Sequence, residues 1–502
     1  MNMAAERRPA IPTLADLLHG YAEAPAIPIH GIASDSRQLE RGFLFLACQG
    51  MSSHGLDYLD EARAAGVSAV VYDASATKVP NDIDVPLIAI DNLGAKLGEI
   101  ANRFFGRPSD SLDVIGVTGT NGKTTVAWLI AECSQFLGER CGYLGTLGYG
   151  VDDIRNGGGM TTPAAVELQR KLAEFVDQGA RFAAVEVSSH ALSQGRVDGV
   201  SFEAALFTNL TRDHLDYHAD MQDYFESKAR LFLDFDTNSR IVNIDSEFGA
   251  QLAARCGQEV IVVSTNPDRA ANGRPFLFVR EVIANAEGSD VVFSSSWGDG
   301  RVSVPLPGDF NVANATIVLA LMLRLGVALG TACDALSQVK APPGRMQRVL
   351  AEGLAVYVDY AHTPNAIDVV LSALRGHCRG ELWCVFGCGG DRDAGKRPLM
   401  ASAVEALADR LVITSDNPRN EDPLEIIDDV VSGLTRPEAA TVIEDRAAAI
   451  AWAIDNASAT DTILIAGKGH ELYQQVGTER RPFSDYAVAE AILAVDAKGS
   501  SQ

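Results

Sequence analysis

The sequence predicts an α/β protein in three domains, and three observations predict it. The chain has 502 residues, about three domains at roughly 150 residues each. Short apolar runs alternate with helical patterns, the order that builds parallel sheets. That alternation starts afresh after two stretches of linker chemistry, residues 105–110 and 341–344. Apolar residues make up 47% and charged residues 22%, values that exclude a disordered, collagenous or coiled-coil chain. The domains are expected at residues 1–110, 111–342 and 343–502.

In the first domain, apolar runs at 43–47, 69–72 and 87–90 predict strands, and 58–65 predicts a helix. The second should open with a strand at 114–118, a glycine-rich turn at 119–122 and a helix at 123–137. Further strands are expected at 182–187, 204–208, 240–244 and 260–264. Residues 276–306 read as strand-rich, and 311–325 as a strongly apolar helix. The third domain should place strands at 355–359, 382–386, 410–414 and 462–466. Helices fall between and around them at about 364–375, 398–408, 423–434 and 446–456. The result is a doubly wound, Rossmann-like sheet.

The strongest local signal is Gly119-Thr120-Asn121-Gly122-Lys123-Thr124-Thr125. Its glycines let backbone N–H groups turn toward phosphate oxygens, and the helix that follows adds its positive end. Lys123 is expected to reach the terminal phosphates and Thr124 to hold Mg²⁺. The spacing is a shortened variant, because Val117 stands where the common P-loop pattern has glycine. The strand before and the helix after support a P-loop over an ordinary glycine turn.

Two polar clusters fall at later strand ends, Glu186 to His190 and Thr208 to Asp216. Ligands gather outside the carboxyl ends of parallel strands, so both should project toward the phosphate loop. Glu186 and His214 are candidate Mg²⁺ partners, although magnesium prefers oxygen. His214 and His218 have the spacing of a helical zinc pair, but no third ligand accompanies them at a suitable spacing. Lys228 lies on the next helix, and its spacing alone reads as a solvated surface charge.

Three loops in the last third follow three strands. They are Gly387 to Asp393, Asp416-Asn417-Pro418-Arg419, and Gly467 to Glu471. Arg392 and Arg419 can each grip a carboxylate with paired hydrogen bonds, and Asp416 and Glu471 can take an ammonium. That is equipment for a zwitterionic amino acid.

Lys and Arg total 42 against 66 Asp and Glu, a net charge of −24. So acidic a chain is a poor binder of nucleic acid or of an anionic membrane. The eight cysteines include no CxxC pair and are expected to be reduced. No segment has the roughly 18 consecutive apolar residues a membrane span needs. Pro9, Pro12 and Asp16 stand where a signal peptide would need an apolar run. The expectation is a cytoplasmic protein without membrane insertion or a nucleic-acid partner.

Taken together, several segments resemble the motif set of the Mur ligases. They are Thr118 to Thr125, Glu186 to His190, Asn209 to Asp216, Asn311 with Asn314, Pro343-Gly344-Arg345, residues 359–364 and 387–397, and Asp416 to Arg419. The resemblance runs from about Ser34 to Glu471. It implies a domain for the UDP end of a substrate, an ATPase domain and an amino-acid domain. It implies ATP-driven amide formation in peptidoglycan synthesis. The small-molecule substrates would be ATP, UDP-N-acetylmuramoyl-L-alanyl-D-glutamate and meso-2,6-diaminopimelate, joined through an acyl phosphate by a monomeric enzyme.

The same resemblance assigns residues. Lys228 matches a lysine that is carbamylated and holds Mg²⁺, which overturns the surface reading. Thr161, Thr162, Ser188, Gln194 and Arg196 match positions that hold the muramoyl peptide. Ser34, Ser36, Ser52 and Ser53 match the uridine site, and Asn314, Arg345 and Asp359 match positions around the nucleotide. Asn417, Pro418, Arg419 and Gly467 fall in the diaminopimelate site with Arg392, Asp416 and Glu471. Met160 departs from the asparagine often found before the paired threonines. Arg419 favours diaminopimelate over lysine, since it would be left with an unpaired buried charge when lysine binds. A ligase adding L-lysine, a folylpolyglutamate synthase sharing the ATPase core, and a non-catalytic nucleotide-binding scaffold stand as alternatives.

Overall fold

The structure is a computed structural model. It describes residues 11–50, 53–76, 79, 84–155, 159–285, 287–349 and 354–499. Internal packing divides the chain into two compact units. One holds the residues up to 123 with 137–261, the other 124–136 with those from 262 onward.

The first unit begins with a four-stranded parallel sheet, Gly31–Ala33, Phe43–Ala47, Ala69–Asp73 and Leu87–Ile90, in chain order. Successive side chains leave opposite faces of a strand. Leu44, Leu46 and Val71 therefore pack with Leu14, Leu17 and Ile100 on one side. Phe45, Ala47 and Val70 meet Leu59 and Ala62 on the other.

The unit's second set of strands runs in the order Thr237–Asn243, Phe202–Phe207, Asp113–Thr118, Phe182–Glu186, Cys141–Gly145, Gly148–Gly150. The first five are mutually parallel and the last is antiparallel. Asp113–Thr118 is central, with later strands on both sides, so it stands at a topological switch point. Val117 pairs with Glu186 and Thr118 with Phe207, which brings three carboxyl ends level. The sequence reading missed Cys141–Gly145 and Gly148–Gly150, where glycines interrupt the apolar pattern. A Cβ on Gly142 would overlap the Phe175 ring, and one on Gly145 the Glu186 carboxylate.

In the second unit, the strand-rich reading of 276–306 resolves into antiparallel strands Phe276–Ala284, Ser289–Ser295 and Gly300–Val304. Helix Asp309–Arg324 is apolar and buried almost all round, as a core helix should be. A six-stranded sheet follows, in the order Gln347–Val349, Ala355–Asp359, Thr462–Ala466, Leu382–Phe386, Arg410–Ile413, Ala440–Val442. All but the first are parallel.

Period-2 alternation covers both faces of that sheet. Tyr357, Cys384, Phe386 and Ile413 pack under helices Pro364–Arg375, Lys396–Leu407 and Pro423–Val431. Val356, Trp383, Val385 and Ile465 pack under Arg446–Asn456 and Asp485–Gly499. This is the doubly wound architecture the βα alternation predicts. A polar hairpin, Tyr473–Val476 with Glu479–Pro482, had no sequence forecast. Among the described residues, no helix is long and apolar enough to cross a membrane.

Candidate active site

The phosphate loop leaves strand Asp113–Thr118 and turns at Gly119 (φ 149°) and Gly122 (φ 86°). A Cβ on Gly119 would overlap the Thr208 hydroxyl, so this approach requires glycine. The neighbouring strand end braces the loop. Thr120 N–H donates to Asn209 O (2.9 Å) and Asn121 N–H to Asn209 Oδ1 (3.0 Å). Thr208 Oγ1 donates to Asn121 O (2.6 Å). Thr124 and Thr125 lie buried in the first turn of helix Lys123–Phe136.

Lys123 Nζ donates to Gly119 O (2.9 Å) and Thr120 O (2.8 Å). Lys228 Nζ donates to that same Gly119 oxygen at 2.8 Å. Lys228 is 1% exposed, which corrects the surface reading that its spacing gave. Its helix, Met221–Leu233, packs its inner face toward the phosphate loop, and Tyr224 lies under the ammonium at 4.5 Å. Burial holds the Lys228 pKa well below its ordinary value, and nearby Lys123 pushes it further down.

Glu186 is fully buried at the end of its strand. Tyr143 OH (2.6 Å) and Thr146 N–H (2.9 Å) donate to its Oε1, and Thr146 Oγ1 (3.1 Å) donates to Oε2. His214 is exposed in the next loop at φ 53°. Desolvation lowers its pKa, Asp213 opposes that, and Lys123 and Lys228 add to it. His218, the second of the zinc-spaced pair, has Ser189 Oγ at 3.0 Å from Nε2 and Asp223 at 3.3 Å from Nδ1.

Among the described residues no group of three or more His, Cys, Asp and Glu is set to hold a metal, so these groups suit a divalent cation only with an oxygen donor from Lys228. Glu186 offers carboxylate oxygen and His214 a neutral nitrogen, whereas an ammonium on Lys228 would repel the ion. A buried amine driven toward neutrality is the form that takes up CO₂, and the carbamate so formed is an anionic oxygen donor of the kind magnesium prefers.

The five residues matched to the muramoyl peptide form one network. Thr162 Oγ1 donates to Glu186 O (2.7 Å) and accepts from Ser188 N–H (3.0 Å). Thr161 and Thr146 hydroxyls lie 3.2 Å apart. Arg196 donates to Thr162 O (2.9 Å), to Gln194 Oε1 (2.6 and 3.0 Å) and to Met160 Sδ (3.5 Å). The departing Met160 thus sits inside the network as a sulfur acceptor. Ser34 and Ser36 follow strand Gly31–Ala33, and Ser53 follows the adjacent Phe43–Ala47, so these serines share one end of the parallel sheet. Ser52 lies outside the described residues.

In the second unit, Asn314 donates to Asn311 Oδ1 (3.4 Å) and Asn311 to Pro307 O (2.8 Å), both buried. Asp359 ends its strand and accepts from Met346 N–H (2.7 Å) and Ala361 N–H (2.8 Å). Desolvation raises its pKa, and Arg345 opposes the rise. The Arg345 guanidinium lies 4.8 Å from the Tyr360 ring.

The three polar loops of the last third leave the carboxyl ends of the adjacent strands Thr462–Ala466, Leu382–Phe386 and Arg410–Ile413. A Cβ on Gly467 would come 2.9 Å from Asp416 Oδ2. Asp416 is 9% and Asn417 2% exposed. Arg419 has φ 52° and donates from Nη1 to Gly390 O (2.5 Å). Pro418 precedes it in the turn. Arg392, by contrast, is exposed. Sequence reasoning missed three buried cations here, Lys468, Arg397 and Arg446. Charge has no periodicity that announces burial, and only the strand-end position of Lys468 hinted at it.

Three family models match the chain. They are the Mur ligase family catalytic domain at residues 28–105, the Mur ligase middle domain at 117–322, and the Mur ligase glutamate ligase domain at 344–469. A protein of Pseudomonas putida named UDP-N-acetylmuramoyl-L-alanyl-D-glutamate–2,6-diaminopimelate ligase is 44% identical over 480 residues, 94% of this chain and 97% of that one. One of the same name from Alkalilimnicola ehrlichii is 45% identical over 93% of this chain and 95% of its own. A solved structure of that name superposes with TM-score 0.74 at 32% identity, covering 97% of this chain and 100% of the other. A folylpolyglutamate synthase from Mycobacterium tuberculosis, at 19% identity and TM-score 0.58 over 81% of this chain and 95% of its own, shares the fold.

Proposed function

The chain belongs to the Mur ligase family, and from that premise we infer that it is the ATP-dependent ligase that adds meso-2,6-diaminopimelate to UDP-N-acetylmuramoyl-L-alanyl-D-glutamate. The observation that carries this reading is similarity over nearly the whole length, 42–45% identity, to proteins bearing that name. The DNPR turn with Arg419 supports the choice of amino acid. The reaction serves peptidoglycan synthesis in the cytoplasm, and the enzyme acts as a monomer.

Residues 1–110 hold the uridine end through Ser34, Ser36, Ser52 and Ser53. Residues 111–342 carry the ATP site, and residues 343–502 the amino-acid site. Thr161, Thr162, Ser188, Gln194 and Arg196 orient the peptide arm so that the D-glutamate γ-carboxylate faces the phosphate loop. Its oxygen attacks the γ-phosphorus of ATP, ADP leaves, and an acyl phosphate forms. The loop N–H groups and Lys123 stabilise the negative charge spread over the transferring phosphoryl group. Asn314, Arg345 and Asp359 surround the nucleotide.

Thr124, Glu186, His214 and carbamylated Lys228 would hold Mg²⁺, which supplies charge neutralisation on the phosphates. Arg419 and Arg392 take carboxylates of diaminopimelate, and Asp416 and Glu471 take ammonium, with Asn417, Pro418 and Gly467 shaping the pocket. The neutral amine then attacks the acyl carbon, the amide forms, and inorganic phosphate leaves.

Phosphate release with ATP, Mg²⁺ and the UDP-dipeptide, comparing meso-diaminopimelate with L-lysine, tests the reading. Release with diaminopimelate and a tripeptide product of matching mass supports it. Release with lysine alone overturns the amino-acid assignment. No release with either acceptor, from folded protein that binds ATP, overturns the ligase reading.

A further inference from the structure

Lys468 is 0% exposed, although it lies in a loop beside the amino-acid site. Its Nζ donates to Asn417 Oδ1 (3.0 Å) and Glu471 Oε2 (3.1 Å). Asn417 Nδ2 donates to that same Glu471 oxygen at 2.8 Å, which closes a three-membered ring of contacts. Gln475 N–H also donates to Asn417 Oδ1 (2.8 Å), tying the ring to the hairpin.

Each contact fixes a choice the side chains would otherwise leave open. With Lys468 and Gln475 both donating to it, the Asn417 oxygen must face inward, so its NH₂ faces Glu471. With Lys468 and Asn417 both on Oε2, the Glu471 carboxylate cannot rotate, and Oε1 is left over. Glu471 keeps 20% of its side-chain exposure while Lys468 keeps none. The cation therefore cannot meet a ligand itself. It acts on the faces that Asn417 and Glu471 present.

We propose that Lys468 is a positioning residue for amino-acid recognition, one that locks Asn417 and Glu471 into the orientation that receives the zwitterionic head of the acceptor. This rests on the reading of that loop cluster as the diaminopimelate site. Lys468 also neutralises Glu471 from behind. The pocket floor is then a carboxylate and an amide of fixed direction, with Glu471 Oε1 left to receive an ammonium.

Lys468→Met keeps the length of the stem and removes the ammonium. The test measures phosphate release by full-length wild type, Lys468→Met, Glu471→Gln and the double variant, with thermal melting of each. For Lys468→Met we expect KM for diaminopimelate to rise at least about 10-fold, with KM for ATP and the UDP-dipeptide unchanged. The double variant should be no worse than the worse single one, because both changes act through one group. An unchanged KM for diaminopimelate in a folded Lys468→Met overturns the assignment. So does a uniform loss across all three substrates, or strict additivity in the double variant. If wild-type turnover shows no dependence on diaminopimelate, the reading of the site fails, and the assignment falls with it.

Discussion

The guanidinium of Arg446 and the carboxylate of Asp485 form a two-point ion pair, 2.7 Å from Nε and 2.8 Å from Nη2, with both side chains wholly buried. The remaining donors reach Ala466 O (2.9 Å) and Ser415 O (3.3 Å). Those are the residues just before Gly467 and Asp416, so one buried fork supports two of the strand-end loops. Removing one partner strands the other's charge without water. Asp485→Ala is expected to lose about 3–5 kcal/mol, read as a lower urea midpoint. Replacing both with apolar residues, Arg446→Met with Asp485→Leu, should recover most of that loss. A single variant as stable as wild type would show the pair to be dispensable.

Lys228 carries an opposite expectation for stability and activity. Its folded-state pKa lies below the ordinary 10.5 because of burial and Lys123. The unfolded chain therefore binds a proton that the folded chain refuses. The cost is fully present below the folded-state pKa and fades as pH rises toward 10.5. Lys228→Met should be at least as stable as wild type at neutral pH, with a flatter stability profile on the alkaline side. Its turnover should fall at least about 100-fold. Urea melts across that range and phosphate-release assays check both halves, and normal turnover would remove Lys228 from the reaction.

Arg419→Ala should raise KM for diaminopimelate by about 100-fold or more and abolish the preference over lysine. KM for ATP should stay put. Competition assays with both amino acids measure it, and retained selectivity would move the far-carboxylate contact to another residue.

Acid should weaken the fold through two histidines packed against Tyr360, with ring centroids 4.6 Å from His362 and 5.2 Å from His470. Burial lowers both pKa values from 6.5. Lys396 and Arg345 reinforce the shift at His362 while its bond to the Tyr360 carbonyl and Asp416 oppose it; Arg345 reinforces it at His470 and Glu471 opposes it. Below the unfolded value of 6.5, the unfolded chain binds protons the folded chain excludes, so stability falls as pH drops through that window. His362→Gln with His470→Gln should show a shallower loss of urea midpoint between about pH 7 and 5. An equally steep loss would assign the acid sensitivity elsewhere.

Much of this was legible because parallel strands announce themselves. Residues 382–386 and 463–466 are apolar throughout, and burial on both faces of the sheet requires that. The phosphate loop was legible through its glycines, Gly119 where a Cβ does not fit and Gly122 at positive φ. Strand Cys141–Gly145 was not, because its two close approaches need glycine where a strand pattern needs bulk. Lys228 reads as solvated from its helix alone, since the carbonyl it meets belongs to a residue 109 positions away. Only family resemblance flagged it. Lys468 and Arg446 carry no such flag, and Arg397 falls in a resembling segment without a role, because a buried charge depends on partners the local sequence does not contain. Arg397, for instance, is held by Glu421 and Asp429 at 2.8 Å each.

The polar hairpin ties its own register to the turn that carries Arg419. Gln475 O accepts from Arg419 N–H (3.1 Å), and Arg419 O accepts from Gly477 N–H (2.5 Å). The hairpin turns through only Gly477 and Thr478, while its outer strand, Glu479–Pro482, is exposed throughout. A slip of one residue in the inner strand would turn its side chains to the opposite face and give Arg419 a different backbone partner.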